Sequence, residues 1–402
     1  MQTSFYTDAV QYFTAGEAKL QTLEQELATG NAVSTASANP AAFIGAAADT
    51  DDTGQLAAEN DNQTDVQDTL GLGTSALTEA ATVLDQIQQI ALEAINGTVN
   101  GSEYQALSEQ VQQNLQQLLA VANTEGNNGN YVFAGTASNT KPFLETASGS
   151  VEYIGDEGLS TVEVSPGITI NAALSGSPFL SGYSGDGYAS VTAAAANTGA
   201  ATLLAVGVTD ESEAAGFQEG SQPITVAFST TSSGTIEYTA TEGSATIASG
   251  SAASGQDITL DGIQFALSGT PASGDSFTVS PARPQSVFSL VQTIETALAS
   301  PGTTSAERAQ TTQVLGNALS GITQYQNLFT SANARIGVVL QTVSNAETDN
   351  TERSTTDETN AADLTAANTP AVMTSLDEQT TALQAALQAF GMTEGLSVFN
   401  YL

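Results

Sequence analysis

The sequence predicts an α+β chain in which long N- and C-terminal helices pack into an elongated coiled-coil rod and enclose a central, mostly-β insertion domain. Three observations carry that expectation. Apolar residues recur at helical spacing over both ends of the chain. Between the ends lies a block of short β-favouring runs punctuated by Gly and Ser. That block is also set apart by charge: between Lys141 and Arg283 there is no Lys or Arg, against 15 Asp and Glu.

The elements follow in order. Tyr6, Val10, Phe13, Leu20, Leu23 and Leu27 recur at steps of three, four or seven, which places one apolar stripe on a helix. The stripe lacks a large apolar residue around Gly16–Glu17, and Thr29-Gly30-Asn31 supplies a stop. A second helical run is expected over about Gln55–Ile95, with Leu70, Leu77, Leu84 and Ala91 spaced by sevens. Tyr104, Leu107, Val111, Leu115, Leu118 and Ala122 mark a third helix, so close in sequence that the two form an antiparallel pair. Tyr131–Gly135 then reads as a β-favouring run, followed by strands at Ser150–Ile154, Ile224–Ser229, Thr235–Ala240, Ile263–Leu267 and Phe277–Val279. The Gly/Ser/Ala-rich stretch Leu180–Gly220 also fits a flexible linker.

Helix returns at Gln285 with the stripe Val287, Val291, Ile294 and Leu298. The strongest periodicity follows. Leu315, Ile322, Phe329, Ile336 and Val343 keep strict seven-residue spacing, while Gln326 and Asn333 interrupt a second row. Such polar interruptions favour register over stability. The last helix, after Pro370, carries Val372, Leu376, Leu383, Leu387 and Phe390, before the apolar ending Leu396–Leu402. Stripes at both extremes of the chain, where helices fray, are expected to pair with neighbouring subunits; ordinary core packing is the other reading. The expected organisation is a terminal helical, intersubunit region (1–40 and 368–402), a helical rod domain (41–135 and 285–367) and a β-rich surface-exposed domain (136–284).

Composition excludes several functions. With 6 basic against 43 acidic residues in 402, the net charge is −37. No basic groove for nucleic acid can be assembled, and anionic lipid is disfavoured. Cys and His are absent, which removes thiolate nucleophiles, imidazole bases and zinc sites built on either. Asp49–Gly54 begins like a calcium loop, but Asn60 stands where such a loop ends in Glu. Asp156-Glu157 and Asp210–Glu213 read as exposed acids without a proton relay. No catalytic, cofactor or metal residue is assigned. The first 16 residues form no cleavable signal peptide, and no apolar run approaches a membrane span.

Leu20-Gln21-Thr22-Leu23-Glu24-Gln25-Glu26-Leu27-Ala28-Thr29-Gly30, then Ala38-Asn39-Pro40-Ala41-Ala42, and the helix ending Glu93-Ala94-Ile95-Asn96-Gly97-Thr98 resemble the flagellin superfamily. Asn123–Gly126 leading into Asn130–Gly135, Lys141-Pro142-Phe143, Gly274–Val279, Gln285–Phe288 and the ending Leu396–Leu402 are similar to its hook-associated junction branch, the FlgL type. The resemblance implies a non-enzymatic structural subunit of the bacterial flagellum that joins hook to filament. It implies export unfolded through the flagellar type III channel without a cleaved signal, with a chaperone on the C-terminal helix. It further implies self-association in a ring, contact with a neighbouring hook-associated protein and with flagellin, an outward-facing β domain and no cofactor. Tyr6, Val10, Phe13, Leu20, Leu23, Leu27, Val372, Leu376, Leu383, Leu387 and Phe390 are the expected packing residues. A filament subunit, or a surface ligand-binding β domain on a helical stalk, are the alternatives.

Overall fold

The computed structural model describes residues 2–96, 99–126, 129–220 and 222–395. The ending Leu396–Leu402 and the Gly97-Thr98 pair lie outside them. Three helices open the chain: α1 (Gln2–Thr29), α2 (Pro40–Ile95) and α3 (Gly101–Ala122). The central block holds β1 (Phe143–Glu145), β2 (Val151–Tyr153), β3 (Thr161–Ser165), β4 (Ile168–Asn171), the short α4 (Ser177–Leu180), β5 (Ala189–Ala193), β6 (Thr202–Val208) and α5 (Glu211–Gly220). It continues with β7 (Ile224–Thr230), β8 (Ile236–Glu242), β9 (Ala245–Ser251), β10 (Gln256–Leu260), β11 (Ile263–Ser268) and β12 (Ser276–Pro281). Helices α6 (Val287–Ala299), α7 (Ser305–Thr365) and α8 (Thr369–Gly395) close it. An α+β fold with long terminal helices and a central β-rich region is thus present. None of the described helices is long and apolar enough to cross a membrane.

Two compact units divide the chain. Met1–Asn62, Val164–Ile168 and Asn345–Leu402 form the first; Gln63–Glu163 and Thr169–Ser344 form the second. Helices α2 and α7 contribute residues to both.

In the second unit the seven-residue rows meet in one core. Leu315, Ile322, Phe329, Ile336 and Val343 are all buried, as are Leu70, Leu77, Leu84 and Ala91 and the stripes of α3 and α6. The polar interruptions face α2: Gln326 donates to the Asp85 carboxylate at 2.5 Å and Asn333 to the Thr78 hydroxyl at 3.4 Å. They fix which turn of α7 meets which turn of α2. An aromatic group lies in the same core. Phe179 has its ring 5.1 Å from Phe133, 5.5 Å from Phe143 and 5.2 Å from Phe329. Tyr131–Gly135 corrects the strand expectation. It forms turns, not a strand, because Phe133 is drawn into the aromatic group and Gly135 takes φ +67°, where a Cβ would strike the Asp156 carbonyl.

The β block has a core of its own. The antiparallel sheets β5-β12-β7-β8-β9 and β10-β11-β6 bury Leu203, Val226, Phe265 and Phe277 together with Ala214 and Phe217 of α5. The stretch 180–220 is therefore folded, not a linker. Its small residues let β5 and β6 enter the sheets, and Asp275 gathers its loop by accepting from the N–H groups of Thr198, Gly199 and Ala272. Amide side chains of α7 fasten this block to the helices. Gln313, 1% exposed, accepts from Leu203 N–H and donates to Leu203 C=O, both at 2.7 Å, as a neighbouring strand would. Asn317 donates to Val191 C=O at 2.6 Å. Tyr325 accepts from Gly182 N–H and donates to Gln285 C=O, and burial pushes its hydroxyl well above the ordinary tyrosine range. Gln313→Leu leaves two buried backbone groups without partners, at a cost on the order of 1–3 kcal/mol each. Chemical denaturation of the full chain should show that loss.

Helix starts follow from local chemistry. Asn100 and Glu103 form a reciprocal capping box on α3, and Ser286 caps α6. Glu307 accepts from the N–H groups of Thr303 and Thr304 at 2.7 and 2.8 Å, and these bonds hold its carboxyl down at about 2. A carboxyl depressed from 4.5 in the folded state contributes stability above that value and loses it as pH falls toward about 2. The difference in melting temperature between the parent and Glu307→Gln is therefore expected to shrink over that window in dilute solution. Residues 40–54 belong to α2, which starts fifteen residues before the expected Gln55. Asn39 caps it through Ala42 N–H at 3.2 Å, and Pro40 takes the first helical position, where no N–H is needed.

Candidate functional site

The terminal helices make up much of the first unit. Their apolar stripes run antiparallel: Phe390 of α8 lies edge-on to Tyr6 and Phe13 of α1, with ring centroids 5.3 and 5.6 Å away, and Gln379 reaches the Gly16 carbonyl at 3.5 Å. Gly16 explains the gap in the α1 stripe. A Cβ there would stand 3.3 Å from both Gln379 Nε2 and Leu383 Cδ1, so a larger side chain would crowd α8 at this point. Gly16→Leu should force the pair apart and lower the helical content that melts with the first unit, as read by circular dichroism.

The chain turns into this pair through a backbone clasp. Gly30, at φ +71°, ends α1 and accepts from Ala367 N–H at 2.8 Å, while Ala32 N–H donates to Thr365 C=O at 2.8 Å. Asn368 then caps α8 through Ala371 N–H at 3.2 Å. Nearby, Asn350 continues the seven-residue row of α7 one step beyond Val343. Fully buried, it donates to the Glu59 carboxylate at 3.3 Å and to Val164 C=O at 3.1 Å.

The eleven expected packing residues fare unlike those of the internal rows. Only Leu23 and Val372 are buried; Phe13, Leu20, Leu27, Leu376, Leu383 and Phe390 are half-buried; Tyr6, Val10 and Leu387 are exposed. Part of the stripe that sequence reasoning gave to neighbouring subunits is thus covered within the chain, by the partner terminal helix. The outer part is not. Val10 and Leu387 are 52% and 53% exposed, and Tyr12, Met373 and Met392 join them, as do Phe43 and Ile44 at the start of α2. Those last five fall off the stripes, so spacing alone gave no signal for them. Two helices can cover only the side each turns to the other; an apolar band wider than that needs a further surface.

Of the acidic candidates, Asp156 and Asp210 hold local backbone in place. Asp49–Gly54 is continuous α-helix inside α2, where i and i+2 side chains diverge rather than converge on an ion. Among the described residues no three acidic side chains gather to hold a metal. Asp210 caps α5 through the N–H groups of Ser212 and Glu213. The Thr136 hydroxyl and N–H, with Gly158 N–H, hold the Asp156 carboxyl below its ordinary range.

Comparison with known proteins matches these features. Residues 4–138 match the family described as the bacterial flagellin N-terminal helical region. The flagellar hook-associated protein 3 of Escherichia coli K12 is 34% identical over 86 residues, which is 21% of this chain and 26% of that protein. Its namesake from Salmonella typhimurium is 27% identical over 163 residues, 40% of this chain and 49% of that protein. The matches therefore span half or less of these curated relatives. The crystal structure of Xanthomonas campestris FlgL superposes with a TM-score of 0.69 at 27% identity, over 77% of this chain and 98% of that one. In its N-terminal helical region, its relatives and its fold, the chain is similar to flagellin-superfamily proteins of the hook-associated protein 3 (FlgL) type.

Proposed function

We propose that this protein is a structural subunit of the bacterial flagellum that joins hook to filament, with no catalytic role. The observation that carries the reading is the contrast in cover. Internal apolar rows are wholly buried, whereas the terminal stripes keep an exposed flank of the same residue types. In the assembled flagellum that flank packs on neighbouring subunits in a ring, on a hook-associated protein on one side and on flagellin on the other. Residues 1–40 and 368–402 form this intersubunit region, 41–135 and 285–367 the helical domain, and 136–284 the outward β-rich domain. The chain reaches the cell exterior unfolded through the flagellar type III system, with an export chaperone on its C-terminal helix. Small side chains and the absence of Cys suit that passage. Assembly then couples folding of the ends to binding.

Deletion of the gene, with electron microscopy of the cells and analysis of the medium, tests the proposal. Bare hooks with flagellin monomer in the medium are expected. Bare hooks with no other flagellin in the medium would make this chain the filament subunit, and normal filaments would contradict both.

A further inference from the structure

A cleft of about 430 Å³ opens in the second unit between α2, α7 and the segment that leads into α4, within the range of about 300–1,000 Å³ typical of binding clefts. Leu77, Phe133 and Ile336 are its buried side chains, Leu174 and Leu328 are among its half-buried ones, and Arg335 is exposed at it with Ser181 and Ser331. Gly73 lets Leu174 lie close to α2, for a Cβ there would stand 2.3 Å from Leu174 Cδ1. One of only six basic residues thus sits beside a mixed lining of apolar side chains and serines, in a chain with 43 acids. Val338, one turn further along α7, is 70% exposed.

The same unit displays a side chain of matching chemistry. Leu159 is 75% exposed, more than any other large apolar side chain of the described residues, so it does not fill the cleft of its own chain. Its loop is held on both sides: Asp156 accepts from Thr136 and Gly158, and Ser160 N–H donates to Asn171 at 3.0 Å. An apolar knob fixed in this way loses little freedom on docking. Glu157, two residues before it, is exposed.

We propose that Leu159 of one copy enters the Arg335 cleft of a second copy, with Glu157 pairing with Arg335. The proposal rests on the self-association reading in taking a second copy as the occupant. Each copy carries both halves, so the contact is either reciprocal in a pair or repeated from copy to copy.

Because the chain has no Cys, an introduced pair reports on this contact alone. Full-length Leu159→Cys chain is mixed with a size-tagged Ser331→Cys chain and oxidised at neutral pH. A mixed disulfide at least fivefold above that of Leu159→Cys with tagged Ser233→Cys, a substitution in the exposed β7–β8 turn, is expected. Arg335→Glu in the Ser331→Cys chain should abolish the excess, and Glu157→Lys in its partner should restore it. A yield equal to the control, or one indifferent to charge reversal, overturns the contact. A deletion strain without filaments, combined with no excess cross-link, overturns this contact and leaves the junction reading standing.

Discussion

A chain carrying Val10→Asp and Leu387→Asp is expected to fold like its parent and fail to assemble. Both side chains are about half exposed, and exposed substitutions cost within about 0.5 kcal/mol of fold stability. The helix pair is held elsewhere, by the Phe390 contacts with Tyr6 and Phe13, by the close approach at Gly16 and by the clasp at Gly30. At an assembly contact the same substitutions force two carboxylates into an apolar surface without counter-cations. Such burial costs several kcal/mol, and about 2.8 kcal/mol already weakens association a hundredfold. The measurement is complementation of a deletion strain, scored by filament count, with circular dichroism of the purified chain as the folding control. Val10→Ile with Leu387→Met should restore filaments. If the Asp variant assembles normally, the exposed flank is not an interface.

Phe179→Ala is expected to cause the largest loss of fold stability, about 3–5 kcal/mol. The side chain is wholly buried and touches three of its aromatic neighbours edge-on or tilted: Phe133, Phe143 and Phe329. Removing it opens a cavity between α4, α7 and the 131–135 turn, which these rings hold together. The melting temperature of the second unit should fall on the order of 10 °C, and Phe179→Leu by clearly less. Phe43→Ala, at an exposed position on α2, should leave it unchanged.

Much of this fold could be read from residue spacing. Rows such as Leu315–Val343 repeat often enough that only a helix puts them on one side, and their complete burial follows. The misses each have a physical cause. Tyr131–Gly135 has strand-forming residues, but a long-range aromatic contact and a left-handed glycine decide its shape. The start of α2 is rich in Ala, Thr and Asp and shows little amphipathic signal, although Asn39-Pro40 marks it. Its threonines lie in the helix with their hydroxyls turned back to the preceding turn, Thr50 donating to Ala46 C=O and Thr53 to Asp49 C=O. Asn350 was hidden because a polar residue interrupts the count, yet it stands seven residues after Val343. For the candidate site, spacing located the terminal stripes but not what covers them. A stripe records that a face is apolar; its cover depends on helix pairing, which put Leu23 and Val372 inside and left Val10 and Leu387 outside.

The central claim is tested most directly by the position of the protein in an intact flagellum. An epitope inserted at the exposed Ser232-Ser233 turn of the β block and labelled with gold should appear once per flagellum, at the boundary between hook and filament. Label spread along the filament, or absent from flagella altogether, would contradict the account.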